Sequence, residues 1–109
     1  MRMATAMALG AVLAIGAAPA VRADDASVEA LMKKSNCFKC HAVDKKKDGP
    51  AFKETAAKYK GKADAEAKLY THLTTNPKVK VDGKEEEHPA IKSTKPDEIK
   101  NVVEYILSQ

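Results

Sequence analysis

The sequence has no tryptophan, two cysteines and two arginines in 109 residues, and aromatic side chains make up 5% of it. Each scarcity excludes something. The length suits one small domain, which excludes a multidomain enzyme. Arg2 and Arg22 both fall in the first 23 residues. Residues 24–109 carry 17 lysines interleaved with 15 acids, a net +2. That balance, without arginine, excludes a strongly basic nucleic-acid binder. No long apolar run follows the first 23 residues, so no stable membrane insertion is expected of the rest. Residues 24–109 hold only 31 hydrophobic residues, ten of them alanine. A core that thin is doubtful unaided at this size, so something else is expected to supply apolar volume.

What is present begins with a leader. Arg2 gives a positive start, and the apolar run Ala4 to Ala18 follows. It ends in Ala18-Pro19-Ala20-Val21-Arg22-Ala23, with small residues suited to cleavage after Ala23 or Ala20. This reads as a secretory signal peptide over residues 1–23, cleaved to leave one domain over 24–109. The run is shorter than the about 20 residues of a membrane span. The mature chain is expected to be periplasmic.

Four helices follow from apolar periodicity. The first runs from about Ser27 to Lys34, with Val28, Leu31 and Met32 on one face. The second covers about Ala51 to Lys60, stopped by Gly61. The third runs from Asp64, as N-cap, to about Thr75 before Asn76-Pro77. The fourth opens at Thr94-Lys95-Pro96-Asp97 and carries the stripe Ile99, Val102, Val103, Ile106 and Leu107, the strongest in the chain. No strand is predicted. Val79-Lys80-Val81 alternates but is too short to count. Two long loops remain, Ala42 to Pro50 and Pro77 to Ser93, and loops of that length in a small domain are usually functional.

Residues 37–41 read Cys37-Phe38-Lys39-Cys40-His41. This C-x-x-C-H pattern is the attachment motif for c-type haem. Two thiols three apart can add to the two vinyl groups along one side of a porphyrin. The adjacent His41 is then placed to bind iron. Haem would supply the missing apolar bulk, and an exported chain is where such attachment occurs. A Cys37–Cys40 disulfide, a zinc site using both cysteines with two histidines, and free buried thiols are the competing readings.

The segment Asp48-Gly49-Pro50-Ala51-Phe52-Lys53-Glu54-Thr55-Ala56-Ala57-Lys58-Tyr59-Lys60-Gly61, with Asp64 to Leu69 and the last helix, resembles small bacterial class I monohaem c-type cytochromes. The resemblance covers residues 26–109. It implies an all-α cytochrome c-like fold, about four helices around one covalently attached haem c and its iron. It also implies that the Pro50 carbonyl bonds the second ring nitrogen of His41, and that the first and last helices cross, with Tyr105 as the aromatic of the last.

One departure stands out. The family usually supplies a distal methionine followed by proline, but no methionine follows Met32, which reads as core. His88-Pro89 occupies that place after Glu85-Glu86-Glu87. The leading expectation is therefore iron held by His41 and His88. His72, at the margin of the third helix's apolar face, is the rival, and an open or water- or lysine-bound iron is the third possibility. A second imidazole should lower the haem potential relative to histidine/methionine ligation. The three glutamates would push the same way if near the iron, and would do little if solvated.

Lys39, Lys45, Lys46, Lys47, Lys53, Lys58 and Lys60 cluster about the motif and read either as a docking collar for acidic redox partner proteins or as a solvated surface. Phe38, Phe52, Tyr59, Tyr70 and Tyr105 read as pocket and core. The function expected is a periplasmic one-electron carrier, not an enzyme, and a monomer. The alternatives are a small-ligand-binding haem protein with a labile distal site, and a haem-free thiol–disulfide protein.

Overall fold

The structure is a computed structural model that describes residues 10 and 25–109. The expected signal peptide, apart from Gly10, and its cleavage sites lie outside the described residues. The element order is α1 (Asp25–Lys34), α2 (Cys37–Cys40), α3 (Phe52–Tyr59), α4 (Ala65–Thr74), β1 (Lys78–Val81), β2 (Lys84–Glu87) and α5 (Pro96–Leu107).

All four helices expected from periodicity are present, with ends shifted by one or two residues. α1 starts two residues early at Asp25, an acidic residue in the first turn that favours a helix N-terminus. Pro96 opens α5, where its missing N–H costs nothing. Ser93 secures that entry by donating from Oγ to Glu98 Oε2 at 2.5 Å and accepting from the Lys95 N–H at 3.1 Å. Gly61 ends the α3 region with φ 73°, a left-handed value that suits glycine at a helix stop.

Two elements differ from the expectation. α2 is a single turn, set off from α1 by Asn36 at φ 60°. The segment taken as a loop and counted as strandless contains an antiparallel hairpin, β1 against β2, paired Lys78–Glu87, Val79–Glu86, Lys80–Glu85 and Val81–Lys84. Asp82 (φ 51°) and Gly83 (φ 77°) turn the chain. Positive φ at both central residues is the two-residue turn that matches strand twist. Among the described residues the fold is thus mostly helical, with five helices rather than four and one small sheet.

α5 packs against α1, α3 and α4 and so forms the spine. Its Ile99, Val102, Val103 and Ile106 are buried, and they meet Val28 and Met32 of α1, Phe52 of α3, Leu69 and Leu73 of α4, and Ile91. Met32 and Val102 are 0% exposed, so Met32 sits in the core. Tyr105 packs at the edge and donates to Glu29 Oε1 of α1 at 3.4 Å, tying the last helix to the first. Among the described residues no helix is long and apolar enough to cross a membrane.

Candidate functional site

The site starts at α2. The His41 N–H closes the turn on the Cys37 carbonyl at 3.0 Å, and His41 then turns extended (φ −124°, ψ 144°). Cys37 and Cys40 lie one turn apart, both free and half-buried. Burial pushes the Cys37 thiol up, a backbone hydrogen bond opposes this, and the nearby Cys40 adds to it.

The loop after His41 folds back onto it. The Gly49 N–H donates to the Cys40 carbonyl at 2.8 Å, and the Phe52 and Lys53 N–H groups each reach back to the carbonyls of Ala42 and Val43 at 3.0 Å. Lys47 Nζ donates to the Phe38 carbonyl at 2.8 Å. This closure sets His41 Nδ1 2.7 Å from the Pro50 carbonyl. A carbonyl only accepts, so Nδ1 is the donor and Nε2 is the nitrogen left for a metal. Phe52 stacks on the same ring, with centroids 5.2 Å apart and planes 23° apart. Gly49 lies against the ring's other atoms. A Cβ placed there would sit 2.7 Å from Nδ1 and 2.9 Å from Nε2, and closest of all to Cε1.

His88 faces this arrangement from the far end of the hairpin. Its N–H donates to the Pro77 carbonyl at 2.8 Å, and its carbonyl accepts from Asn76 Nδ2 at 3.0 Å. The imidazole is half-buried, and its Nδ1 is buried with no hydrogen-bond partner. Burial, then the nearby His72 and His41, lower its pKa to about 4, against a smaller opposing effect of the Pro89 backbone. The ring is neutral at pH 7, the form that ligates metals. His72 lies beside it, centroids 4.2 Å apart, and is itself held below its ordinary value by burial and then by His41. The structure thus brings His88 close to both other histidines.

The ring centroids of His41 and His88 are 6.2 Å apart. Two imidazole–metal bonds of about 2 Å, plus the two ring radii, span roughly 6 Å. The pair is therefore spaced to hold one metal ion between them. Among the described residues no three His, Cys, Asp or Glu side chains converge on a bare ion. A metal ion held between the two imidazoles would need further ligands from another group, and a porphyrin tethered at Cys37 and Cys40 would supply them. The orphaned His88 Nδ1 fits it too, since an unpartnered buried polar atom in a folded protein calls for a cause.

The remaining expected residues lie around this centre. Glu85, Glu86 and Glu87 are fully solvated along β2, so their field at the site is screened. Lys39, Lys45, Lys46, Lys47, Lys53, Lys58 and Lys60 are exposed, although Lys47 is committed to Phe38. Sequence reasoning did not single out three positions. Gly49 keeps space for the proximal ring, and Asn76 holds the His88 carbonyl. Ser35, buried at 7% exposure, accepts the Lys92 N–H at 2.9 Å and anchors the segment after His88 to the end of α1. The Gly-Pro pair at 49–50 and the Asn-Pro pair at 76–77 were the available signals, and both also mark ordinary turns.

Comparison with known proteins identifies the family. Cytochrome c-551 of Pseudomonas aeruginosa is 47% identical over 62 residues, covering 57% of this chain and 60% of that protein. The chain spans about 60% of the length of the curated cytochrome c-551 relatives from Pseudomonas aeruginosa and Stutzerimonas stutzeri. Among solved structures, the class 1 cytochrome MtoD from Sideroxydans lithotrophicus ES-1 is 54% identical with a TM-score of 0.74, covering 78% of this chain and 95% of that one. Wild-type cytochrome c552 of Nitrosomonas europaea superposes with a TM-score of 0.58 at 31% identity, covering 77% of this chain and 98% of that one. The cytochrome c family model matches residues 26–109. The chain therefore belongs to the cytochrome c family, whose members carry one covalently attached haem c with its iron.

Proposed function

We propose that this chain is a periplasmic one-electron carrier with two histidine ligands to its iron, passing electrons between redox partner proteins. The observation that carries the proposal is the pair of imidazoles, His41 and His88, whose ring centroids lie 6.2 Å apart, a separation matching a single shared metal ion. Haem c, when bound, supplies a ferric/ferrous couple that cycles one electron.

The chain's own residues do the rest. Cys37 and Cys40 would hold the porphyrin through thioethers formed by addition of each thiol across a vinyl group. Pro50 fixes the tautomer and angle of His41, and such a bond raises the basicity of a ligating imidazole. Phe52 and Phe38, in edge contact at 6.1 Å, wall the same side with carbon and limit water. His88 fills the distal position that a substrate or small ligand would need, so no catalysis is assigned. An imidazole there, in place of methionine, favours the ferric state and lowers the potential. The exposed Lys39, Lys45 and Lys46 beside the attachment turn suit an acidic docking surface, and their attraction should weaken with salt. The mature protein is the domain 24–109, released by cleavage of the leader, and it acts as a monomer.

Three measurements on protein expressed with its leader test the proposal. Colour should stay with the protein through acid–acetone extraction. Voltammetry should give one reversible one-electron wave. Carbon monoxide should leave the reduced spectrum unchanged on mixing. Loss of colour on extraction, or immediate carbon monoxide binding, would overturn it.

A further inference from the structure

None of residues 78–87 is buried. The hairpin therefore adds little to the core, and its regularity needs another reason. Its ladder pairs Lys78 with Glu87 as the outermost rung of the assigned strands. One rung further out is Pro77 opposite His88, and the His88 N–H donates to the Pro77 carbonyl at 2.8 Å. The ladder ends on the histidine itself.

Asn76 completes the hold. Its Nδ2 donates to the His88 carbonyl at 3.0 Å, from a backbone at φ 51°, a left-handed value that asparagine tolerates. Three residues on, the buried Ile91 donates its N–H to the Leu73 carbonyl at 2.9 Å, and the Lys92 N–H follows onto Ser35 Oγ. His88 is thus pinned at the hairpin base on one side and at the core on the other. Strand side chains alternate with period two, so a one-residue slip turns an imidazole to the opposite face.

We infer that the β1–β2 hairpin is a register device for the sixth ligand, with Asn76 and Pro77 as positioning residues that aim His88 at the iron. The inference rests on His88 being that ligand. It explains why a solvated hairpin, whose rungs set Lys78 opposite Glu87 and Lys80 opposite Glu85, precedes the ligand.

The test compares the full-length haem protein with four variants. His88→Ala defines the spectrum and carbon monoxide reactivity of a missing ligand. Asn76→Gly removes the amide while permitting the same φ. Deletion of Glu86 alone shifts the register. Joint deletion of Lys80, Val81, Lys84 and Glu85 shortens the hairpin by two full rungs and preserves it. Ferric spin state and the rate of carbon monoxide binding to the reduced protein are read beside the urea midpoint. Asn76→Gly should raise the carbon monoxide rate by about tenfold or more, the scale of outer-shell effects on ligation. The Glu86 deletion should resemble His88→Ala, and the four-residue deletion should resemble wild type.

The inference is overturned if Asn76→Gly lowers the midpoint but leaves spin state and rate unchanged, or if the four-residue deletion loses the ligand. Where the Glu86 deletion does not fold, Asn76→Gly decides. A wild-type spectrum in His88→Ala would instead remove the ligand assignment itself, a separate failure.

Discussion

Gly49→Ala is the smallest change that reaches the iron. The new methyl would sit 2.7 Å from His41 Nδ1 and 2.9 Å from Nε2, and nearer still to Cε1. Unstrained carbon contacts lie at about 3.5–4.0 Å, so the methyl and ring must separate by roughly 1 Å. The backbone at Gly49 does not need a positive φ, so the penalty is one of space. The ring has little freedom to retreat, being held by the Pro50 carbonyl at 2.7 Å and stacked on the buried Phe52. Overpacking costs about 1–3 kcal/mol, and losing the Pro50 bond adds about 0.5–1.5 kcal/mol. A combined destabilisation of about 2–4 kcal/mol should lower the thermal midpoint by roughly 10–30 °C in a domain of this size. Ferric low-spin absorption should weaken as His41 Nε2 is displaced. Thermal melting followed at the Soret band, with room-temperature spectra, reads both effects. A variant with wild-type midpoint, spectrum and potential would refute the steric reasoning.

Met32→Ala should cost about 2–5 kcal/mol, since Met32 is 0% exposed at the α1–α5 contact, and urea denaturation should show it without a change in spin state. Ser35→Ala leaves the Lys92 N–H without its acceptor and should cost about 1–2 kcal/mol, seen as a lower urea midpoint. The folded pKa of His88, about 4, lies below its ordinary value, so its neutral ring contributes stability that is present above that ordinary value and lost as pH falls through about 4. With iron on the ring a proton must also displace the metal, so the absorption spectrum should be constant from about pH 8 to pH 5 and ligand loss should come below about pH 4.

The helices were legible because each carries its own apolar stripe. Ile99, Val102, Val103 and Ile106 mark α5 without reference to any other element, and all four are buried. The hairpin was not legible by the same criterion, because its partners are lysine and glutamate on solvated strands and only Val79 and Val81 alternate. Its signal was the turn, Asp82-Gly83, which asks for two positive φ values. Cys37, Cys40 and His41 were readable because their chemistry depends on sequence spacing alone. The roles of Gly49 and Asn76 were not, since each depends on a loop closing in space. Gly49 meets a ring eight positions earlier, and Asn76 meets a carbonyl twelve positions later. The approach of His72 to His88, sixteen positions apart, likewise exists only in the fold.

The central claim is that His88 occupies the distal position of a closed, electron-carrying haem. Oxidised and reduced optical spectra of the wild type and of His88→Met test it most directly. The wild type should be low-spin without the near-red sulfur-to-iron band, and the variant should gain this band together with a higher potential. A high-spin wild type whose spectrum is unaffected by the substitution would contradict it and make the distal site an open one.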